Sequence, residues 1–411
     1  MAVPHLAAAA PKVEPSPWKP NPWALMSTVA MLVGIVAGLV LTLITIGPLS
    51  RDEFRIWQWT TDNLPSTVFQ LTGVARDTDI ATGEAAAREY FRLTSRIRAE
   101  LQNAEPDLAL LDVLANERAA YENDVERLVE TYVTEAIEQA GLKRAFPLFE
   151  DWRIVWPPVE IELTSPPKLL VTSPRDEIVR SDNLLRNDLT LDEIVAIEEK
   201  ADGANEVSLV ISIGGIAAYP AIIRDERSYD SLLSVTGHEW AHHYLSFFPL
   251  GLRWTSGQTG RTLNESTADI VGRELAILVR QNHPIEFAPG EDGRRPPTDA
   301  PLVEFDPIMR QLRIDVDALL EAGKVAEAES LMEETRLFLA ENGIQLRKIN
   351  QAYFAFYGDY GDSPASSSPI GPKVDRVWEL TQHVGIFLAV MREVTSEADL
   401  DDVITALERG G

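Results

Sequence analysis

The sequence predicts an α+β protein with an N-terminal transmembrane helix, a helical hairpin, a small sheet with two further helices, and a helical C-terminal half. Three observations carry that expectation. An uncharged apolar tract runs from Trp23 to Ile46. Between residues 152 and 223, short apolar or alternating runs lie among prolines and glycines, as strands do. The segments before and after repeat apolar residues at helical spacing.

Residues 1–22 are rich in Ala and Pro and read as a disordered tail. The tract that follows would make roughly 36 Å of helix, enough to span a bilayer with tilt. Trp18 and Trp23 suit its interface, and no small-x-small cleavage site follows, so 23–48 is expected to be an uncleaved anchor. Lysines precede it and Arg51 and Arg55 follow, a nearly even balance. The long C-terminal part favours export, hence a single-pass membrane protein with that part extracytoplasmic. Gly34 and Gly38 form a GxxxG pattern suited to pairing anchors in a homodimer.

Residues 49–150 are expected to be a membrane-proximal helical region. The part 49–82 has no clear pattern. Helices are expected over 84–103, with Tyr90, Leu93, Ile97 and Leu101, and over 107–140, with Leu111, Leu114, Tyr121, Val125, Leu128, Tyr132 and Ala136. A core over 151–285 should hold strands at Arg153–Trp156, Val159–Thr164, Lys168–Thr172, Val207–Ile213 and Ile216–Ile223, a helix at Leu191–Lys200, and a turn at Gly214-Gly215. The loop Pro284–Pro301 leads to a helical subdomain, 286–411, with helices near 305–322, 324–357, 373–394 and 396–408.

The chemistry concentrates in His238-Glu239-Trp240-Ala241-His242, an H-E-x-x-H pattern holding two of the chain's six histidines. On a helix, residues four apart share a face, so both imidazoles would point at one metal ion. Glu239 is rotated about 100° from His238, which places its carboxylate beside the metal, where it can take a proton from water. Ser228 or Asp230 can cap this helix, and Pro249 stops it. Gly237 costs about 1 kcal/mol against Ala mid-helix and marks an expected close approach of another backbone. A catalytic zinc needs a third protein ligand. Glu265 supplies it from a second helix, with Asp269 one turn on to accept a ligand histidine's free N–H and Asn264 beside it as a further support.

H-E-x-x-H followed about twenty residues later by Asn264-Glu265-x-x-x-Asp269-Ile-x-Gly272 resembles the gluzincin zinc peptidases, over residues 235–274. The resemblance implies a Zn²⁺ ion held by His238, His242 and Glu265, Glu239 as the base, and Asp269 orienting a histidine. It also implies an edge strand that pairs with substrate backbone. Ile216-Ala217-Ala218-Tyr219 fits that place, making Ala217 and Ala218 substrate-binding candidates. Asn350-Gln-Ala-Tyr353 is similar to an N-x-A-Y stretch of some bacterial predicted aminopeptidases with H-E-x-x-H sites. Tyr353, Tyr357, Tyr360 and His383 are candidates to hydrogen-bond an oxyanion.

Other readings compete. Thr262 and Glu265 fit a capping box, which would turn Glu265 away from a metal. A di-iron bundle needs a second E-x-x-H, which the chain lacks. A mononuclear iron site needs no base beside its first ligand. The alternative to an enzyme is a membrane-anchored envelope scaffold with a structural zinc, for which His243 is the nearest spare ligand. A net charge of −27 excludes the basic surface of a nucleic-acid binder, and with no cysteine there is neither disulfide nor thiolate ligand. The expected activity is hydrolysis of a peptide or protein substrate. Ile216–Ile223 has no acid to hold a free amine, which favours an endopeptidase.

Overall fold

The computed structural model describes residues 52–71, 80–146, 149–254, 256–295 and 301–410. Helix α1 (Ile56–Leu71) forms in the stretch where the sequence shows no pattern, and Trp59 Nε1 donates to the Pro220 carbonyl at 3.1 Å. Then come α2 (Ile80–Glu100), α3 (Leu108–Ala119) and α4 (Glu122–Gln139). The expected second arm of the hairpin is therefore two helices, broken at Ala120–Tyr121. Asp107 caps α3 by accepting from the Ala109 and Leu110 amides. α2 and α4 bury Tyr90, Phe91, Leu128 and Tyr132 against each other and against the metal-site helices.

Strands β1 (Lys143–Phe146) and β2 (Phe149–Val155) precede two three-stranded sheets. In the first, β4 (Lys168–Pro174) is flanked antiparallel by β5 (Ser181–Leu185) and β6 (Glu206–Ser212). Burial alternates along β4, with Leu169 and Val171 turned to the core. β5 begins Ser-Asp-Asn, too polar to read as a strand, and owes its state to pairing with β4. In the second sheet β3 (Ile161–Leu163) runs parallel to β8 (Ala221–Ile223), and β7 (Gly215–Ile216) pairs antiparallel at the edge. α5 (Leu191–Ala201) opens with a capping box between Thr190 and Glu193.

The remaining helices are α6 (Tyr229–Leu245), α7 (Pro249–Leu252), α8 (Gln258–Asn282), α9 (Phe305–Glu321), α10 (Val325–Glu341), α11 (Gln351–Tyr357), α12 (Ile370–Thr381), α13 (Val384–Met391) and α14 (Glu397–Gly410). The expected helix 324–357 stops at Glu341, before Gly343 with its φ of 89°. The expected helix 373–394 breaks at Gln382, which is left-handed. Two large cores result. One joins α2, α4, β3, β8, α6 and α8 with α12–α14; the other joins β4 and β6 with α9–α11. Segment 286–411 thus divides between both instead of forming a core of its own. Asp359, fully buried, links them: it accepts from Arg180 of the second core at 2.8 Å and from Arg261 of α8 at 2.9 Å.

The expectation of a single-pass membrane protein is corrected. The tail and anchor, 1–48, including Gly34 and Gly38, lie outside the described residues. Among the described residues no helix is long and apolar enough to cross a membrane. The longest, α8, carries Arg261, Glu265, Asp269, Arg273, Glu274 and Arg280 along its length, a charge load that hydrocarbon does not tolerate. The architecture described is α+β without a spanning helix.

Candidate metal centre

Helix α6 starts at Ser228, whose hydroxyl accepts from the Ser231 amide, with Asp230 in the positive first turn. It packs its buried face, Leu232, Leu233, Trp240 and Tyr244, into the first core. α8 crosses it with Gly272 against Gly237, close enough that the two backbones touch. α8 begins five residues before Thr262, at Gly257, and Thr262 is buried within it. The capping-box reading of Glu265 fails for that reason, and the carboxylate is directed at α6 instead.

His238 Nε2 and His242 Nε2 lie 2.9 Å apart, and Glu265 Oε2 lies 3.4 Å and 3.6 Å from them. Four ligands placed tetrahedrally at the usual zinc distances stand about 3.3 Å from one another, so the triangle matches a cation in its middle. The far sides of both rings are committed. His238 Nδ1 is 2.8 Å from Asp269 Oδ1, and His242 Nδ1 is 2.7 Å from Asn264 Oδ1. Each Nδ1 therefore carries the donated hydrogen, and each ring turns its Nε2 inward, toward Glu265. Glu265 Oε2 is buried without a hydrogen-bond partner. Three acceptors converging on one point repel unless a cation or proton lies between them. Without a metal, burial pushes the His238 pKa down, but Asp269 and Glu265 outweigh it and hold it well above the imidazole range. Burial likewise raises Glu265, yet the imidazoles of His242 and His238 hold it far below the carboxylate range. Trp254 stacks edge-on against the His242 ring at 5.3 Å and narrows its freedom.

The triangle forms part of the wall of a cleft of about 840 Å³. Glu239 lines it, 5% exposed, and burial raises its pKa. Among the described residues its carboxylate makes no hydrogen bond. Tyr357 and Tyr360 also line it, and burial, then the charges of Glu265 and Asp269, keep the Tyr360 hydroxyl protonated. Tyr353 and His383 are corrected as oxyanion candidates. Tyr353 is buried in the second core, its ring 4.5 Å from that of Tyr357, away from the cleft lining. His383 is exposed and caps α13, accepting from the Ile386 amide.

The expected edge strand is shorter than the sequence suggests. β7 ends at Ile216, and the Ala218 amide donates back to the Ile216 carbonyl at 2.7 Å. Ala217 lines the cleft, whereas Ala218 is buried and its carbonyl accepts from His243 Nε2 at 2.7 Å. Burial lowers the His243 pKa to about 4, so the ring is neutral and its Nε2–H holds that carbonyl. Sequence reasoning missed Arg227, which lines the cleft, because an arginine just before a helix cap carries no pattern. The Gly214-Gly215 pair was legible as a turn only. In the fold, a Cβ on Gly215 would lie 2.5 Å from Glu239 Oε1, and one on Gly214 would collide with Arg227 Nη2. The glycines let both side chains lie against the turn.

Described residues thus define a His₂Glu centre with two supported imidazoles, an unbonded carboxylate and an open cleft. No family model, curated protein or solved structure matches the chain.

Proposed function

We propose that the protein is a zinc-dependent hydrolase of peptide bonds. The observation that carries this is the convergence of His238 Nε2, His242 Nε2 and Glu265 Oε2 beside the unbonded Glu239 carboxylate, in a cleft of about 840 Å³. Zinc bound there would supply Lewis acidity, polarising a carbonyl and lowering the pKa of water. Glu239 takes the proton of the attacking water and hands it to the leaving amine. Its burial makes it a stronger base than a solvated glutamate. Tyr360, in the cleft lining, donates to the developing oxyanion, and the Gly215–Ala217 edge offers backbone groups to an extended substrate. His243 is spent on the Ala218 carbonyl, so it does not close the metal shell. That supports a catalytic site over a structural one, because a structural zinc needs four protein ligands.

The test pairs wild type with Glu239→Gln on a broad peptide library, each loaded with zinc and assayed for metal. About one zinc per chain in both, with cleavage by wild type alone, is the expected result. Metal-loaded wild type that cuts no member of the library would overturn the reading.

A further inference from the structure

Arg227 stands out in the cleft. Its guanidinium donates from Nη1 to Ser231 Oγ at 2.6 Å and from Nε to the Gly214 carbonyl at 3.4 Å. Among the described residues it has no carboxylate partner, and Nη2 makes no hydrogen bond. Arg224, three residues earlier, is also without a carboxylate and donates to the Ile213 carbonyl at 2.9 Å. Arg227 thus lines the cleft without a carboxylate hydrogen bond, beside Glu239, in a chain whose net charge is −27. A half-buried guanidinium held by two neutral acceptors retains a large unmet demand for an anion. Its place is fixed against the same turn as the base, with Arg227 Nη2 over Gly214 and Glu239 Oε1 over Gly215. Successive residues of an extended peptide advance about 3.3 Å, so a group on Arg227 lies one or two residues from a bond attacked beside Glu239.

We propose that Arg227 is a specificity-determining residue that binds a substrate carboxylate next to the scissile bond. The proposal rests on the hydrolytic reading. Two sources share this chemistry: the free C-terminus of a peptide, and an Asp or Glu side chain. Arg rather than Lys suits the role because its planar fork meets both carboxylate oxygens.

The experiment uses zinc-loaded wild type, Arg227→Gln and Arg227→Lys. Peptides cut by wild type are prepared in matched pairs: free acid against C-terminal amide, and Asp or Glu against Asn or Gln flanking the cut. Wild type should favour the charged member of one pair by about 10- to 100-fold in kcat/KM, as a charge-assisted hydrogen bond implies. Arg227→Gln should bring that ratio near one, and Arg227→Lys should restore part of it. A preference in the acid–amide pair assigns release of C-terminal residues; one in the side-chain pair assigns acidic-site cleavage. No preference in wild type, or the same preference in Arg227→Gln, overturns the proposal. Equilibrium binding of both kinds of matched pair, including pairs drawn from library members that are not cut, to wild type and Arg227→Gln reads the contact without turnover. A charge preference in binding that is lost in Arg227→Gln, with no library member cleaved by any form, would support Arg227 and sink the hydrolase instead. Equal binding of both members of both kinds of pair would sink the role of Arg227.

Discussion

Gly237 and Gly272 face each other where α6 crosses α8. A Cβ on Gly237 would lie 3.0 Å from the Gly272 Cα, and one on Gly272 would lie 2.9 Å from the His238 amide nitrogen and collide with the Ser234 carbonyl. The contact brings Glu265 and Asp269 within reach of rings carried by another helix. Any side chain at the crossing would push the third ligand away from the first two.

Ala is the better helix former by about 1 kcal/mol, so a glycine that merely tolerates its place gains from Gly272→Ala. Here the variant should instead lose about 1–3 kcal/mol, the usual cost of overpacking. Zinc affinity should fall further, because the separation of α6 and α8 sets the ligand triangle. Urea denaturation and metal titration check the pair of effects, and a more stable variant with unchanged zinc affinity would contradict the crossing.

Asp269→Asn and Asn264→Ala each remove the group that fixes one ligand ring. Each should weaken zinc binding by about 10- to 100-fold with the fold intact. Competition with a chromogenic chelator measures this. A solvated residue of α8 such as Arg273 should show no such change when replaced by Ala.

Removing metal leaves the two inward Nε2 atoms and the Glu265 carboxylate with only a proton to hold them together. A chelator should lower the melting temperature by several degrees, and added zinc should restore it, since a ligand bound only by the native state stabilises it by about 4 kcal/mol at a thousand times its Kd. In His238→Ala the melting temperature should no longer respond to chelator.

Stability should also depend on a carboxylate remote from the cleft. Glu126 of α4 accepts from the Leu163 amide at 2.7 Å, and burial, reinforced by Glu162 and Glu122, raises its pKa to about 8 from 4.5. The folded chain thus holds a proton that the unfolded chain has released. The associated stability is complete below pH 4.5 and is lost as pH rises through 8. Glu126→Gln keeps the acceptor oxygen and removes the charge, so it should be near neutral at pH 5 and stabilising by a few kcal/mol at pH 8. Melting curves at both pH values check the sign.

The metal triangle was legible because each half of it follows helical spacing. His238 and His242 are four apart, as are Glu265 and Asp269, and the helices that carry them are capped by Ser228 and Ser246 in one case and start after Gly257 in the other. What spacing does not encode was missed. β5 is polar and exists through pairing, and α1 lacks an apolar stripe. His383 sits beside an apolar helix but serves as its cap. Tyr353 and Tyr360 look alike in a run of aromatics and pack on the same core, yet only Tyr360 reaches the cleft lining.

All three metal-triangle residues belong to α6 and α8, inside the first core, whereas Phe356, Tyr357 and Tyr360 of the cleft lining belong to the second. Asp359 joins the halves through Arg180 and Arg261. The cleft is thus a seam between two cores, and a single buried carboxylate fastens the aromatic part of its lining to the helix that carries Glu265.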